Sequence, residues 1–229
     1  MAPDTPRPPL DPASTPADIE ARSFAIIDAE AGAAKPFSGH AWSVARRLVH
    51  TSGDMTLLDS LHLPDAAIAA GLAALRRGAL VFTDTEMARA GMPLRRLAPL
   101  GVTVSCILSQ PGVAERARER GITRSRAGME ALGGRLGGSV VAIGNAPTAL
   151  LALLDHLDAG GPAPALVIGM PVGFVNAAES KALLMARNDV PCLAVAGRRG
   201  GSPLAAATVN ALACILEEEK TAGMQAQTP

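Results

Sequence analysis

The sequence predicts an α/β fold: a mostly parallel sheet of about five strands with helices on both sides. Three observations predict it. Short apolar runs rich in Val, Ile and Leu recur at 79–84, 102–108, 139–144, 165–170 and 192–197. These runs are continuous rather than alternating in polarity, as strands covered on both faces are. Each is followed by a loop and an amphipathic stretch, and the intervals have room for the helix that a parallel crossover needs. A four-helix bundle is the competing reading, and the Val and Ile runs cut by glycine speak against it.

Along the chain, residues 1–16 carry six prolines. Each fixes φ and removes a donor, so an extended or disordered tail is expected there. From Pro16 to Ala33, Ile19, Phe24, Ile27 and Ala31 recur at helical intervals, and Trp42 to His50 reads as a second amphipathic helix with His50 at its C-terminal end. A third helix is expected from Pro64 to Arg77, with proline in the first turn and Gly78 as its stop. The strand runs follow. One α/β domain is expected over 17–218 and a disordered C-terminal tail over 219–229. With 229 residues, 48% of them hydrophobic, the chain has apolar mass for one sizeable core.

Composition narrows the function. Twenty-one Lys and Arg balance twenty-one Asp and Glu, leaving no positive field to hold nucleic acid or an anionic membrane. One Trp, four Phe and no Tyr leave base-stacking platforms without raw material, so a large flat ligand would lie against aliphatic walls. Cys106, Cys192 and Cys214 form no CxxC pair and have no nearby His at ligand spacing, which speaks against a disulfide framework and against a metal site. No stretch reaches the roughly 18 apolar residues of a membrane span, and Asp4 and the prolines stand where a signal peptide needs an apolar core. A cytoplasmic protein is expected.

In open parallel sheets ligands bind outside the carboxyl ends of the strands. The residues there are small and polar: Asp84 and Thr85; Gly144, Asn145 and the helix start at Pro147; Gly169 to Gly173; and Arg198, Arg199, Gly200, Gly201 and Ser202 before Pro203. Helix N-termini with glycine nearby favour anions, although glycine and proline also serve such loops for turning alone. Arginine matches a carboxylate with two parallel bonds, so Arg198 and Arg124 near such loops suit a ligand with several carboxylates. Walker-type and dinucleotide glycine loops, a GxSxG elbow and HExxH are all missing.

Of four histidines, His50 stands out. His62 and His156 read as solvated, and His40 lies in a glycine-containing connection. Arg47 is one turn behind His50 on the same helical face. An imidazole exchanges protons near neutral pH and suits general acid catalysis beside a carboxylate-binding arginine. On pattern alone, a helix-capping histidine fits the same residues.

The motifs RSFAII (22–27), RLVH (47–50), GITRS (121–125), GNAPTAL (144–150), GMPVGFVNAAESK (169–181) and GRRGGS (197–202) together resemble the precorrin-8X methylmutases of corrin biosynthesis, over about residues 15–216. The resemblance implies a three-layer α/β/α fold, a homodimer and an isomerase without a cofactor. It implies a methyl shift from carbon 11 to carbon 12 of precorrin-8X that yields hydrogenobyrinate, with His50 as acid/base and Ser23 and Arg47 contacting substrate. Strand-end placement adds Asp84, Thr85, Arg124, Asn145, Arg198, Gly200, Gly201 and Ser202 as expected substrate contacts. Two other readings use the same loops: a cobalt-precorrin-8 methylmutase of the anaerobic route, and a non-catalytic corrinoid carrier that hands its pigment to the next enzyme.

Overall fold

The computed structural model describes residues 15–33 and 35–225. The proline-rich tail expected over 1–16 lies outside the described residues except for Thr15 and Pro16, which begin the first helix. Thr15 accepts from the Asp18 N–H through its hydroxyl, and Asp18 accepts from the Thr15 N–H, so α1 (Pro16–Ala31) starts on a capping box with proline in its first turn. After a short connection, α2 (Gly39–Ser52) runs back along α1 and stops at Gly53, whose φ of 64° closes the C-terminus in the left-handed conformation. The expected second helix therefore holds, with His50 in its last turn.

The remaining elements are β1 (Leu61–His62), α3 (Asp65–Arg76), β2 (Val81–Thr83), α4 (Glu86–Ala90), α5 (Leu94–Leu97), β3 (Val104–Cys106), α6 (Val113–Glu119) and α7 (Arg124–Glu130). They continue with β4 (Val140–Ile143), α8 (Pro147–Asp158), β5 (Leu166–Gly169), α9 (Ala177–Met185), β6 (Cys192–Val195) and α10 (Ser202–Gln225). The strands form one sheet in the order β1-β6-β5-β4-β2-β3. All neighbours are parallel except β1, which pairs antiparallel with β6 through Leu61 and Val195.

The sheet thus has six strands where about five are expected. The additional one is a two-residue edge strand in the sequence LHLP, too short to show a pattern. It also corrects the reading of His62 as solvated: the ring is half-buried there, and desolvation lowers its pKa.

Strand side chains alternate between two cores. Val81, Val140, Ala142, Leu166, Ile168, Leu193 and Val195 face α2, α3 and α10. Phe82, Val141, Ile143, Val167 and Cys192 face α7, α8 and α9. Two helical layers therefore sandwich the sheet, which explains why the strand runs are apolar without alternation. At the C-terminus α10 continues through Gln225, so 219–225 are helix rather than the expected tail. Glu219 pairs there with Arg76, and His40 Nε2 lies 3.7 Å from its carboxylate. Residues 226–229 lie outside the described residues.

Candidate functional site

Strand β2 pairs with both β3 and β4, so the winding direction reverses between β2 and β4. In doubly wound sheets that crevice, above the strand ends, is where ligands bind. Here the protein fills it itself. Asp84, fully buried at the end of β2, accepts the Gly144 N–H on one carboxylate oxygen at 2.9 Å. Its other oxygen accepts the Asn145 and Ala146 N–H groups, each at 2.7 Å. These donors lead into α8, so the anion position at that helix start is taken by an internal carboxylate. Burial pushes the Asp84 carboxyl up, and the three donors pull it back down.

The neighbouring loops are stitched together just as tightly. The Gly201 N–H donates to the Met170 carbonyl at 2.9 Å, and the Gly173 N–H to the Arg198 carbonyl at 3.2 Å. Thr85 caps α4 by accepting the Ala88 N–H, and its hydroxyl shares a hydrogen bond of 2.9 Å with Ser202. A Cβ on Gly200 would collide with the Met170 carbonyl, and one on Gly144 would lie 2.5 Å from the Ser202 Cα. Asp84, Thr85, Gly200, Gly201 and Ser202, expected from the sequence as substrate contacts, thus also join these loops to each other through their polar groups and small size. Asn145 and Arg198 stay exposed at the same edge, with the Arg198 guanidinium 5.3 Å from the centroid of the Phe174 ring. Arg124 is exposed at the start of α7, in the opposite helical layer from α2.

An open cavity lies at the α1–α2 hairpin. A space of about 360 Å³ is lined by Ser23, Ile26, Ile27 and Glu30 of α1, Val49 and His50 of α2, and Gly53 and Met55 beyond it. His50 is exposed at its wall. Ile26 is 58% exposed on the same wall. The Ser23 hydroxyl on this wall donates to the Ile19 carbonyl at 2.8 Å, and its oxygen can still accept.

Arg47, expected beside His50, is committed elsewhere. Its Nη1 donates to the Glu20 carboxylate at 2.6 Å, and it lines the neighbouring cleft between α1, α2 and α10. The Arg47 guanidinium in turn holds the Glu20 carboxyl below the usual carboxylate range.

A polar chain ties this cavity to the strand ends. The Arg199 guanidinium donates to Thr56 Oγ1 at 2.8 Å and lies 3.1 Å from Asp54 Oδ2, on either side of the cavity-lining Met55. The Arg199 carbonyl accepts from Nζ of Lys181, a fully buried lysine of α9, at 2.5 Å. Sequence reasoning singled out neither Asp54 nor Thr56 as part of the site. Their only signal is an Asp two residues before a Thr, the pattern of a side chain capping the next turn, which Asp54 does by accepting the Thr56 N–H at 2.9 Å.

Burial lowers the Lys181 ammonium pKa from 10.5 to about 8. Between those values the unfolded chain binds a proton that the folded chain does not, so this group makes unfolding harder as pH rises. Its contribution is complete above pH 10.5 and is lost as pH falls through about 8. Relative to Lys181→Met, the wild type is expected to gain up to roughly 3 kcal/mol of unfolding free energy across this window. Urea unfolding of both proteins at pH 8 and pH 10.5 checks it, and a constant difference between them would show that Lys181 keeps an ordinary pKa.

Among the described residues no group of three or more His, Cys, Asp and Glu is arranged to hold a metal ion. Cys106 and Cys192 are buried free thiols and Cys214 a half-buried one. No helix among the described residues is long and apolar enough to cross a membrane.

Residues 18–215 match the family model described as precorrin-8X methylmutase. The chain is 48% identical over 196 residues to a precorrin-8X methylmutase of Pseudomonas aeruginosa, covering 85% of this chain and 93% of that protein. It is 40% identical over 209 residues to a cobalt-precorrin-8 methylmutase of Salmonella typhimurium, covering 89% and 97%. The crystal structure of a precorrin-8X methyl mutase from Thermus thermophilus superposes with a TM-score of 0.79 at 38% identity, covering 88% of this chain and 98% of the other.

Proposed function

The chain belongs to the precorrin-8X methylmutase family and is an isomerase of that kind, and from that premise we propose that it moves a methyl group from carbon 11 to carbon 12 of metal-free precorrin-8X, with His50 as the acid/base. The observation that carries this reading is the exposed imidazole at the wall of a cavity whose other surfaces are largely aliphatic. Ile26, Ile27, Val49 and Met55 offer the macrocycle an apolar face without aromatic stacking.

In this reading protonated His50 donates to the conjugated ring system, which makes it a better electron sink for the migrating methyl. The same nitrogen takes a proton back once the double bonds have rearranged, so substrate and product are isomers and no proton is consumed. General acid catalysis of this kind supplies about 10²- to 10⁴-fold. Holding the ring in a reactive conformation supplies the rest.

The acetate and propionate arms require cationic or N–H partners. Arg198, Asn145 and Arg124, all exposed, are proposed for that role, and Ser23 lines the cavity proposed for the ring. Arg47 joins them by exchanging the Glu20 carboxylate for one from the substrate. The homodimer implied by the family resemblance is supported by the β5–α9 loop, where Phe174 and Val175 are 82% and 78% exposed. A cytoplasmic location and hand-over of hydrogenobyrinate to the next corrin enzyme complete the proposal. The metal-free substrate is favoured over the cobalt one by the 48% identity to the Pseudomonas aeruginosa protein against 40% to the Salmonella typhimurium protein.

Incubating the purified protein with precorrin-8X is expected to convert the visible spectrum to that of hydrogenobyrinate. A parallel incubation with the cobalt-loaded substrate is expected to react more slowly. Pigment binding with an unchanged spectrum would instead identify a carrier.

A further inference from the structure

Helix α1 contacts the imidazole through Phe24, a residue to which neither the methyl shift nor substrate binding assigns a role. Its ring meets that of His50 in a T-shaped arrangement, with centroids 5.4 Å apart and planes at 76°. Phe24 is itself held on further sides. The Arg46 guanidinium lies 4.4 Å and the Arg47 guanidinium 4.9 Å from its ring centroid. Each arginine is anchored on α1 in turn, Arg46 by Asp28 at 2.8 Å and Arg47 by Glu20 at 2.6 Å. Residues 20, 24 and 28 stand one helical turn apart, so a single stripe of α1 carries a carboxylate, a ring and a carboxylate. On α2, residues 46, 47 and 50 share the opposing face. The ring cannot swing away without disturbing the Arg46 contact and the Asp28 pair behind it, which do not depend on where Arg47 turns.

An exposed histidine at a helix end samples several rotamers, with flips on the picosecond to nanosecond scale. Proton delivery to a ring carbon requires one of them. We propose that Phe24 is a positioning residue for His50, holding the imidazole edge-to-face so that its nitrogen addresses the cavity bounded by Ser23, Ile26 and Met55. This inference rests on His50 being the acid/base.

Phe24→Leu removes the ring and keeps an apolar side chain. Its kcat for precorrin-8X is expected to fall about 10- to 100-fold, the scale of misaligned reacting groups. KM and hydrogenobyrinate affinity are expected to stay within about threefold, as for a group that acts only in the transition state. Phe24→Tyr, which restores the ring, is expected to recover most of kcat. The imidazole proton resonances of His50, assigned by their loss in His50→Ala, are expected to move in Phe24→Leu as the ring current disappears and to return toward the wild-type positions in Phe24→Tyr. Should Phe24→Leu fail to fold by circular dichroism, Phe24→Met carries the same comparison.

Wild-type kcat in the ring-less variant overturns the proposal, as does a fall in kcat that Phe24→Tyr does not restore. His50→Ala separates the two levels of the argument. An active His50→Ala enzyme removes the acid/base reading itself, whereas an inactive one beside a fully active Phe24→Leu enzyme removes only the positioning role.

Discussion

Replacing His50 with alanine is expected to slow conversion of precorrin-8X by about 10²- to 10⁴-fold, the contribution of a positioned general acid. Binding of hydrogenobyrinate is expected to change little. The asymmetry follows from the cavity: Ile26, Ile27, Val49 and Met55 supply the apolar contact whether or not the imidazole is present. In the proposed reading other residues meet the carboxylate arms, so loss of the ring removes a proton donor without removing the holding surface. Single-turnover spectra measure the first effect and equilibrium titration with product the second. A rate within about threefold of wild type would exclude His50 from proton transfer, since even a modest general acid contributes more. A protein whose natural role is to carry pigment would show no rate to lose and the same affinity in both forms.

The largest effect on stability is expected from Asp84→Asn. The carboxylate accepts three backbone N–H groups at 2.7 to 2.9 Å and is fully buried. An amide of the same shape offers one acceptor oxygen and turns an NH₂ group toward N–H donors that have no alternative partner. Leaving such donors unsatisfied in the interior is expected to cost roughly 3 to 5 kcal/mol. The β4–α8 loop carries the strain first, because Asp84 alone links the end of β2 to residues 144–146 through side-chain bonds. Urea unfolding measures the loss. A change below about 1 kcal/mol would mean that the loop finds substitute acceptors, as surface sites do.

The strands were legible because burial on both faces leaves its mark in every residue of a run, and each of the five runs contains one of β2 to β6. Strand β1 has two residues and borrows its register from β6, a partner more than a hundred positions away, so nothing local marks it. The strand-end loops show the opposite difficulty. Asp84 looks the same in sequence whether it faces a ligand or the backbone of residue 144, 60 positions later. Likewise Arg47 and His50 share a helical face as their spacing predicts, but Glu20, 27 positions earlier, decides where the guanidinium goes. At the C-terminus the polar run after 218 has no apolar periodicity. There Glu219 reaches Arg76 and His40, contacts that chain order does not announce. His50 is legible because an arginine one turn behind a histidine at a helix end is a local pattern. Phe24 was read only as one apolar position among four, since periodicity reports which way a side chain faces and not what it touches.

Helix α1 has a single buried residue, Ile27, and is fastened to α2 by the pairs Glu20–Arg47 and Asp28–Arg46. Attachments of that kind weaken as electrolyte rises, whereas the two sheet-facing cores do not respond in the same way. The cavity beside His50 is thus walled on one side by a helix held largely through partly exposed charges. Were a bulky tetrapyrrole to enter there as proposed, its uptake is expected to vary with the ionic strength of the medium while the sheet keeps its shape.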